Sequence, residues 1–146
     1  MRKLIGVLTA LALLAAFGGR AAAGSPLTAS GADVTVYAAG GTQLSNGFFF
    51  PGTAIANGND YIGEPLVVPE GSNLRFFNLD VSAFAGAHKI TSFKRVKRAG
   101  KKVPLFASKL VDGPGEDLVI TSHVKPGTYP YFCPIHAGMF GLIEVR

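Results

Sequence analysis

Tyr131-Phe132-Cys133-Pro134-Ile135-His136-Ala137-Gly138-Met139-Phe140-Gly141, near the end of the 146-residue chain, holds its only cysteine. A histidine follows three positions on and a methionine three beyond that. A thiolate, an imidazole and a thioether on one short loop form a soft ligand set, which suits copper better than the hard, oxygen-loving cations. A three-plus-axial site needs one more group. Outside this loop the histidines are His88 and His123, so the fourth ligand comes from these two, with His88 favoured.

The compartment bears on what a lone cysteine can do. Arg2 and Lys3 form a short positive region, Leu4 to Phe17 is an apolar run, and Ala21-Ala22-Ala23 supplies the small residues a signal peptidase reads. The run of about fourteen residues falls short of the ~20 that span a bilayer. Residues 1–23 are therefore expected to be a cleaved signal peptide, with the mature protein starting at Gly24, periplasmic or secreted, and without a stable membrane span. Removing Arg2, Lys3 and Arg20 leaves eleven basic residues against nine acidic ones, a net +2. That is not the basic footprint nucleic-acid binding needs. Where thiols oxidise, disulfides need cysteines in pairs. Cys133 is thus a buried hydrophobe, an intermolecular bridge, or a ligand or nucleophile guarded by its role, and the neighbouring His136 and Met139 favour the ligand.

From Gly24 onward the texture is all-β. Glycine makes up 19 of 146 residues, about twice the ~7% average. Glycines and prolines punctuate short runs rich in Val, Ile, Phe, Tyr and Thr. The pattern predicts strands over Asp33–Ala38, Pro65–Val68, Asn73–Leu79, Lys89–Val96, Val103–Ala107, Leu118–Ser122, Tyr129–Cys133 and Leu142–Val145. Residues 40–59 read as a long Gly- and Asn-rich loop with one short strand around Phe48-Phe49-Phe50, and Asp80 to Ala87 as a loop of small residues leading to His88. Seven to eight short strands at this spacing argue a Greek-key β-sandwich. Residues 64–146 are expected to form its core, with residues 24–63 adding a strand and a loop.

A blue-copper centre is a trigonal His₂Cys plane with a weak axial Met, and the thiolate is the form of cysteine that ligates. With Cys133 at the end of one strand and Met139 at the start of the next, the loop can wrap an ion and His136 can ligate midway. The chain resembles the cupredoxins, the plastocyanin and amicyanin kind of small blue copper protein. Three stretches carry the resemblance: Asn78-Leu79-Asp80 through His88, the turn Pro126-Gly127-Thr128-Tyr129, and Phe132 to Met139 with the following Gly141 to Val145. The two-residue gaps between successive ligands are most similar to amicyanin's. The resemblance implies one type 1 copper ion held by His88, Cys133, His136 and Met139. Two departures stand out. Lys89 follows His88 where many cupredoxins have an asparagine that pins the cysteine loop, and the loop proline is Pro134, directly after the cysteine. Ile135 therefore keeps a backbone N–H that can reach the Cys133 sulfur.

Zinc fits less well, because a structural site prefers more Cys or His and a catalytic one keeps a position open for water. His123 has no partner at ligand spacing and reads as a surface or structural histidine. Lys94 to Lys102 carries six positive charges, as a solvated hairpin tip or as a steering patch for an acidic redox partner or an anionic membrane surface. Pro134, Ile135, Ala137, Met139 and Phe140 are expected to form an apolar cap near His136. Taken together, the expected function is non-enzymatic: a monomer carrying single electrons between envelope redox proteins, such as a cytochrome or an oxidoreductase. The alternatives are a copper carrier of the envelope and a structural sandwich without metal.

Overall fold

A computed structural model describes residues 33–40, 47–81 and 86–146. The expected leader, its cleavage point before Gly24 and the segment around Phe84 lie outside the described residues. Among the described residues no helix is long and apolar enough to cross a membrane.

Among the described residues, fourteen short strands make two packed sheets with smaller ribbons attached. In the first sheet β1 (Val34–Ala39) lies between β2 (Phe48–Phe50) and β6 (Leu74–Asn78), and β12 (Gly115–Val119) flanks β6. In the second, the order is β4 (Asp60–Ile62), β3 (Thr53–Asn57), β14 (Phe140–Val145), β13 (Gly127–Phe132) and β8 (Thr91–Ser92), with β5 (Leu66–Val68) parallel to β14. β7 (Ala87–His88) pairs with β11 (Val111–Asp112), and β9 (Arg95–Arg98) with β10 (Lys101–Pro104). The parallel β1–β6 pair between otherwise antiparallel neighbours reflects chain crossovers between the sheets.

Strand alternation explains which residues meet in the middle. Along β1, Val36 and Ala38 point inward and Tyr37 outward; along β6, Leu74, Phe76 and Asn78 point inward and Arg75 outward. Facing them, Tyr131, Ile143 and Val145 come from β13 and β14. Phe49 joins the halves, its ring centroid 4.8 Å from Tyr131 and 6.5 Å from Phe76. The described part of residues 24–63 therefore belongs to the one core, and β1 is an interior strand of its sheet.

The strands are more numerous and shorter than the expected seven to eight. The stretch Lys89–Val96 divides because Thr91 and Ser92 pair with β13 while residues from Arg95 onward leave to form the β9–β10 ribbon. The strand expected at Val103–Ala107 ends at Pro104, since Leu105, Phe106 and Ser108 bond back to Lys94, Ser92 and Ile90. The one expected at Leu118–Ser122 lies at Gly115–Val119, in register with β6. It stops there because the Thr121 N–H turns to the side chain of Asn73 at 3.2 Å. Residues 53–62 form a hairpin whose first strand and turn lie within the stretch 40–59 that was expected to be a loop. Asn57 pairs with Asp60 across Gly58 and Asn59, and Gly58 takes the left-handed φ of 61° that such a tight turn requires.

Candidate metal centre

β13 delivers Cys133 at one end of the sandwich, and the chain returns through β14 seven residues later. The loop between them is closed by its own backbone: Cys133 N–H donates to Met139 O at 3.1 Å, and Met139 N–H to His136 O at 3.4 Å. β7 brings His88 to the same place from a different strand pair. One ring nitrogen from each of His88 and His136 and the Cys133 sulfur lie within 4.8 Å of one another. The two imidazoles stand 4.6 Å apart centre to centre, and His136 Nδ1 is 3.6 Å from the sulfur. Cys133, His88 and Met139 are buried, whereas His136 is only partly covered.

Met139 and His88 share a wall. A Cβ placed on Gly47 would lie 3.0 Å from Met139 Sδ and 3.2 Å from His88 Cε1, so the chain passes close to both side chains here. The thioether thus borders the imidazole that, with Cys133 and His136, makes up the cluster.

The orientation of His88 is set by residues whose role the sequence alone did not reveal. Asp80 Oδ2 lies 2.7 Å from His88 Nε2, and Asp80 Oδ1 accepts a bond from the Gly40 N–H at 2.9 Å. With Nε2–H donated to the carboxylate, the free lone pair of the ring is on Nδ1. That atom is buried and has no hydrogen-bond partner. An orphaned buried nitrogen normally costs stability; beside a sulfur and a second imidazole it could hold a metal ion. Asn78 secures the same corner, its side-chain N–H₂ bonding to Gly86 O and, at 2.9 Å, to Val111 O, while its oxygen accepts the Asp80 N–H. The signal in the sequence was an acid eight residues before the histidine across a loop of small residues, a pattern too common to assign from spacing.

Electrostatics follow from this packing. Burial pushes the His88 pKa down, but its polar contacts with Cys133 and Asp80 and their negative charges outweigh burial and leave it above the ordinary imidazole value. Burial pushes the Cys133 thiol up. Its interaction with His88 and the backbone N–H groups of Ile135, Lys89 and His136 overcome that and bring it below the usual thiol range. The Ile135 N–H thus favours the thiolate, in line with the position of Pro134, and the main chain of Lys89 acts in the same direction. His136 is lowered by burial and by the charge of His88, with Asp80 acting in the opposite direction. The cluster therefore favours a thiolate, the form that binds soft metals.

Ile135 is 49% exposed and Pro134 and Ala137 are exposed, but Met139 is fully buried. The expected apolar cap thus lacks Met139, whose side chain turns inward to the cluster. His123 lies on the surface, away from the cluster, with Nε2 2.8 Å from Arg98 Nη2 and 3.1 Å from Leu105 O.

No family model matches the chain, and a search of curated proteins finds no match. Among solved structures, the copper-containing nitrite reductase of Thermus scotoductus SA-01 aligns at 24% identity over 78% of this chain, with a TM-score of 0.52. The alignment spans only 22% of the reductase chain. A purple cupredoxin from Nitrosopumilus maritimus aligns at 24% identity over 78% of this chain and 100% of its own, with a TM-score of 0.50. The sandwich described above has the cupredoxin fold.

Proposed function

We propose that the chain is a type 1 copper protein that carries single electrons between redox proteins of the cell envelope, with His88, Cys133, His136 and Met139 as its ligands. The observation that carries this reading is the buried, unpartnered Nδ1 of His88 beside a sulfur and a second imidazole. The donor set fits the ion: two nitrogens and a thiolate with a thioether at hand are the ligands a blue-copper centre uses. Both structural relatives, one copper-containing and one a cupredoxin, support the same metal.

Copper bound there supplies a Cu(II)/Cu(I) couple; the chain's own residues do the rest. Asp80 holds the His88 ring with its proton on Nε2. Three backbone N–H groups stabilise the sulfur as thiolate. Burial of Cys133, His88 and Met139 keeps water from the ligands. The partly covered His136, beside exposed Ile135 and Pro134, is the route for electrons to a partner. An Ile135→Lys variant would keep its centre and lose rapid exchange with a cytochrome. A carrier that hands its metal on would use exposed, exchangeable ligands, which the burial of His88 and Met139 disfavours. The alignment with part of a nitrite reductase keeps a catalytic assembly as the second reading.

The test is the visible and electron-paramagnetic-resonance spectrum of residues 24–146 with one equivalent of Cu(II). An intense thiolate-to-copper band that vanishes in Cys133→Ala is expected. A folded protein without such a band would sink the proposal.

A further inference from the structure

The end of the sandwich away from the ligand cluster carries a second feature of its own. β9 and β10 form a separate two-stranded ribbon whose tight turn places Ala99 at φ 47° and Gly100 at φ 77°. Arg95, Lys97, Arg98, Lys101 and Lys102 are exposed on it, and between Lys94 and Lys102 there is no acidic residue. Arg98 bonds toward His123 and Leu105 O, which ties the ribbon to the turn that precedes β13. β13 is six residues long. At ~3.3 Å per residue it sets this turn roughly 20 Å from Cys133.

Beneath the ribbon runs a groove of about 570 Å³. Val103, Leu105, Leu118 and Ile120 line it, with Arg98 and His123 at its rim. Leu118 is 46% and Ile120 50% exposed. Strand alternation puts Val96 and Val103 opposite one another on the face that Arg98 and Lys101 share. Asp33, Glu116 and Asp117 lie on the other flank of Leu118; Arg75 stands 3.8 and 3.5 Å from Asp33 and Glu116, and Asp117 accepts the Lys109 N–H at 2.7 Å.

We infer that this pole is a docking surface for an anionic phospholipid bilayer. Clustered lysines and arginines are drawn to anionic headgroups, and apolar side chains interleaved with them enter the boundary below the headgroups. A redox partner seated here would stand far from the ligand cluster. On the copper reading above, docking at this pole turns His136 away from the lipid and toward soluble partners. The docking itself does not depend on that reading, and the metal-free chain tests it equally well.

The experiment is co-sedimentation of the protein with phosphatidylglycerol–phosphatidylcholine vesicles against phosphatidylcholine alone, across a salt series, beside retention on immobilised poly-glutamate. The wild type is expected to bind only the anionic vesicles, less so as salt rises. Each cation neutralised in the combined Arg98→Gln, Lys101→Gln variant should weaken binding roughly fivefold, and Ile120→Asn should weaken it with all charges kept. These exposed positions leave the core intact, which the thermal melt of each variant checks. No binding to anionic vesicles would overturn the inference. So would tight retention on poly-glutamate with vesicle binding unchanged in Ile120→Asn, which would point to an acidic protein instead.

Discussion

The carboxylate of Asp80 decides which nitrogen of His88 carries the proton, and with it how protons compete for the ligand position. Protonation of Nδ1 expels a metal, so binding weakens as pH falls through the His88 pKa. That pKa lies above the ordinary imidazole value partly because of Asp80, so the loss begins at higher pH than for an unassisted histidine. His136, whose pKa is lowered, yields to protons only at lower pH. In Asp80→Asn the raising charge is gone. The midpoint of the pH dependence of copper affinity should then move down, the limiting affinity above that midpoint should fall about 10–100-fold, and the reduction potential should rise because a negative charge that favours Cu(II) has left. Voltammetry and copper affinity measured across pH check this, and an unchanged potential would remove Asp80 from the centre. Gly47→Ala is the matching steric probe. Its methyl group would meet Met139 Sδ at 3.0 Å and Ala39 O at 3.2 Å, a crowding expected to cost about 1–3 kcal/mol. Urea denaturation reads that cost, and the spectrum reads the displaced thioether. The cluster of His88, Cys133 and His136 was legible in the sequence because cysteine and histidine are scarce here. Asp80 and Gly47 were not, since each acts through a register that brings distant strands together.

At the scale of elements, the sequence declared the strands whose alternation is strong and misplaced those fixed by tertiary bonds. β1, β6, β13 and β14 carry inward Val, Phe, Tyr and Ile on a period of two, and they fall close to where the pattern put them. The β3–β4 hairpin was hidden because glycine and asparagine around it read as loop, although Gly58-Asn59 is itself a two-residue hairpin signal. The break between β8 and β9 is invisible locally, because it reflects a change of partner from β13 to β10. Asn78 shows how one side chain on a strand positions elements far along the chain. Its amide joins β6 to Gly86 and to Val111 in β11, and so sets the approach of β7 and His88. Asn78→Ala leaves two carbonyls without that donor in a buried corner, at about 1–3 kcal/mol each. Chemical denaturation of the metal-free protein should register a loss of at least about 2 kcal/mol. Metal affinity should fall as well, because His88 loses its support. A stability loss with affinity unchanged would mean that β7 holds its place by strand pairing alone.

At the scale of the molecule, the sandwich and the ligand cluster are separable. The core that runs from Val36 and Phe76 to Tyr131 and Ile143 is closed by side chains from both sheets, and the loop from Cys133 to Met139 is closed by its own backbone bonds. Neither closure uses a metal–ligand bond. This differs from small zinc domains, in which metal binding supplies the folding free energy. Metal removal should therefore leave the far-ultraviolet circular dichroism of the protein unchanged and lower its melting temperature. Copper free at a hundredfold its Kd adds about 2.7 kcal/mol to the folded state, which for a domain of this size is roughly 10 °C. Cys133→Ala should lose this copper-dependent increment almost completely, while melting within a few degrees of the metal-free wild type, since it replaces one small buried side chain by another. Scanning calorimetry of the wild type and Cys133→Ala, each with and without copper, makes the comparison. A metal-free wild type that is unfolded at 25 °C would contradict the separation of scaffold and site. Equal copper stabilisation of both proteins would instead place the ion away from Cys133.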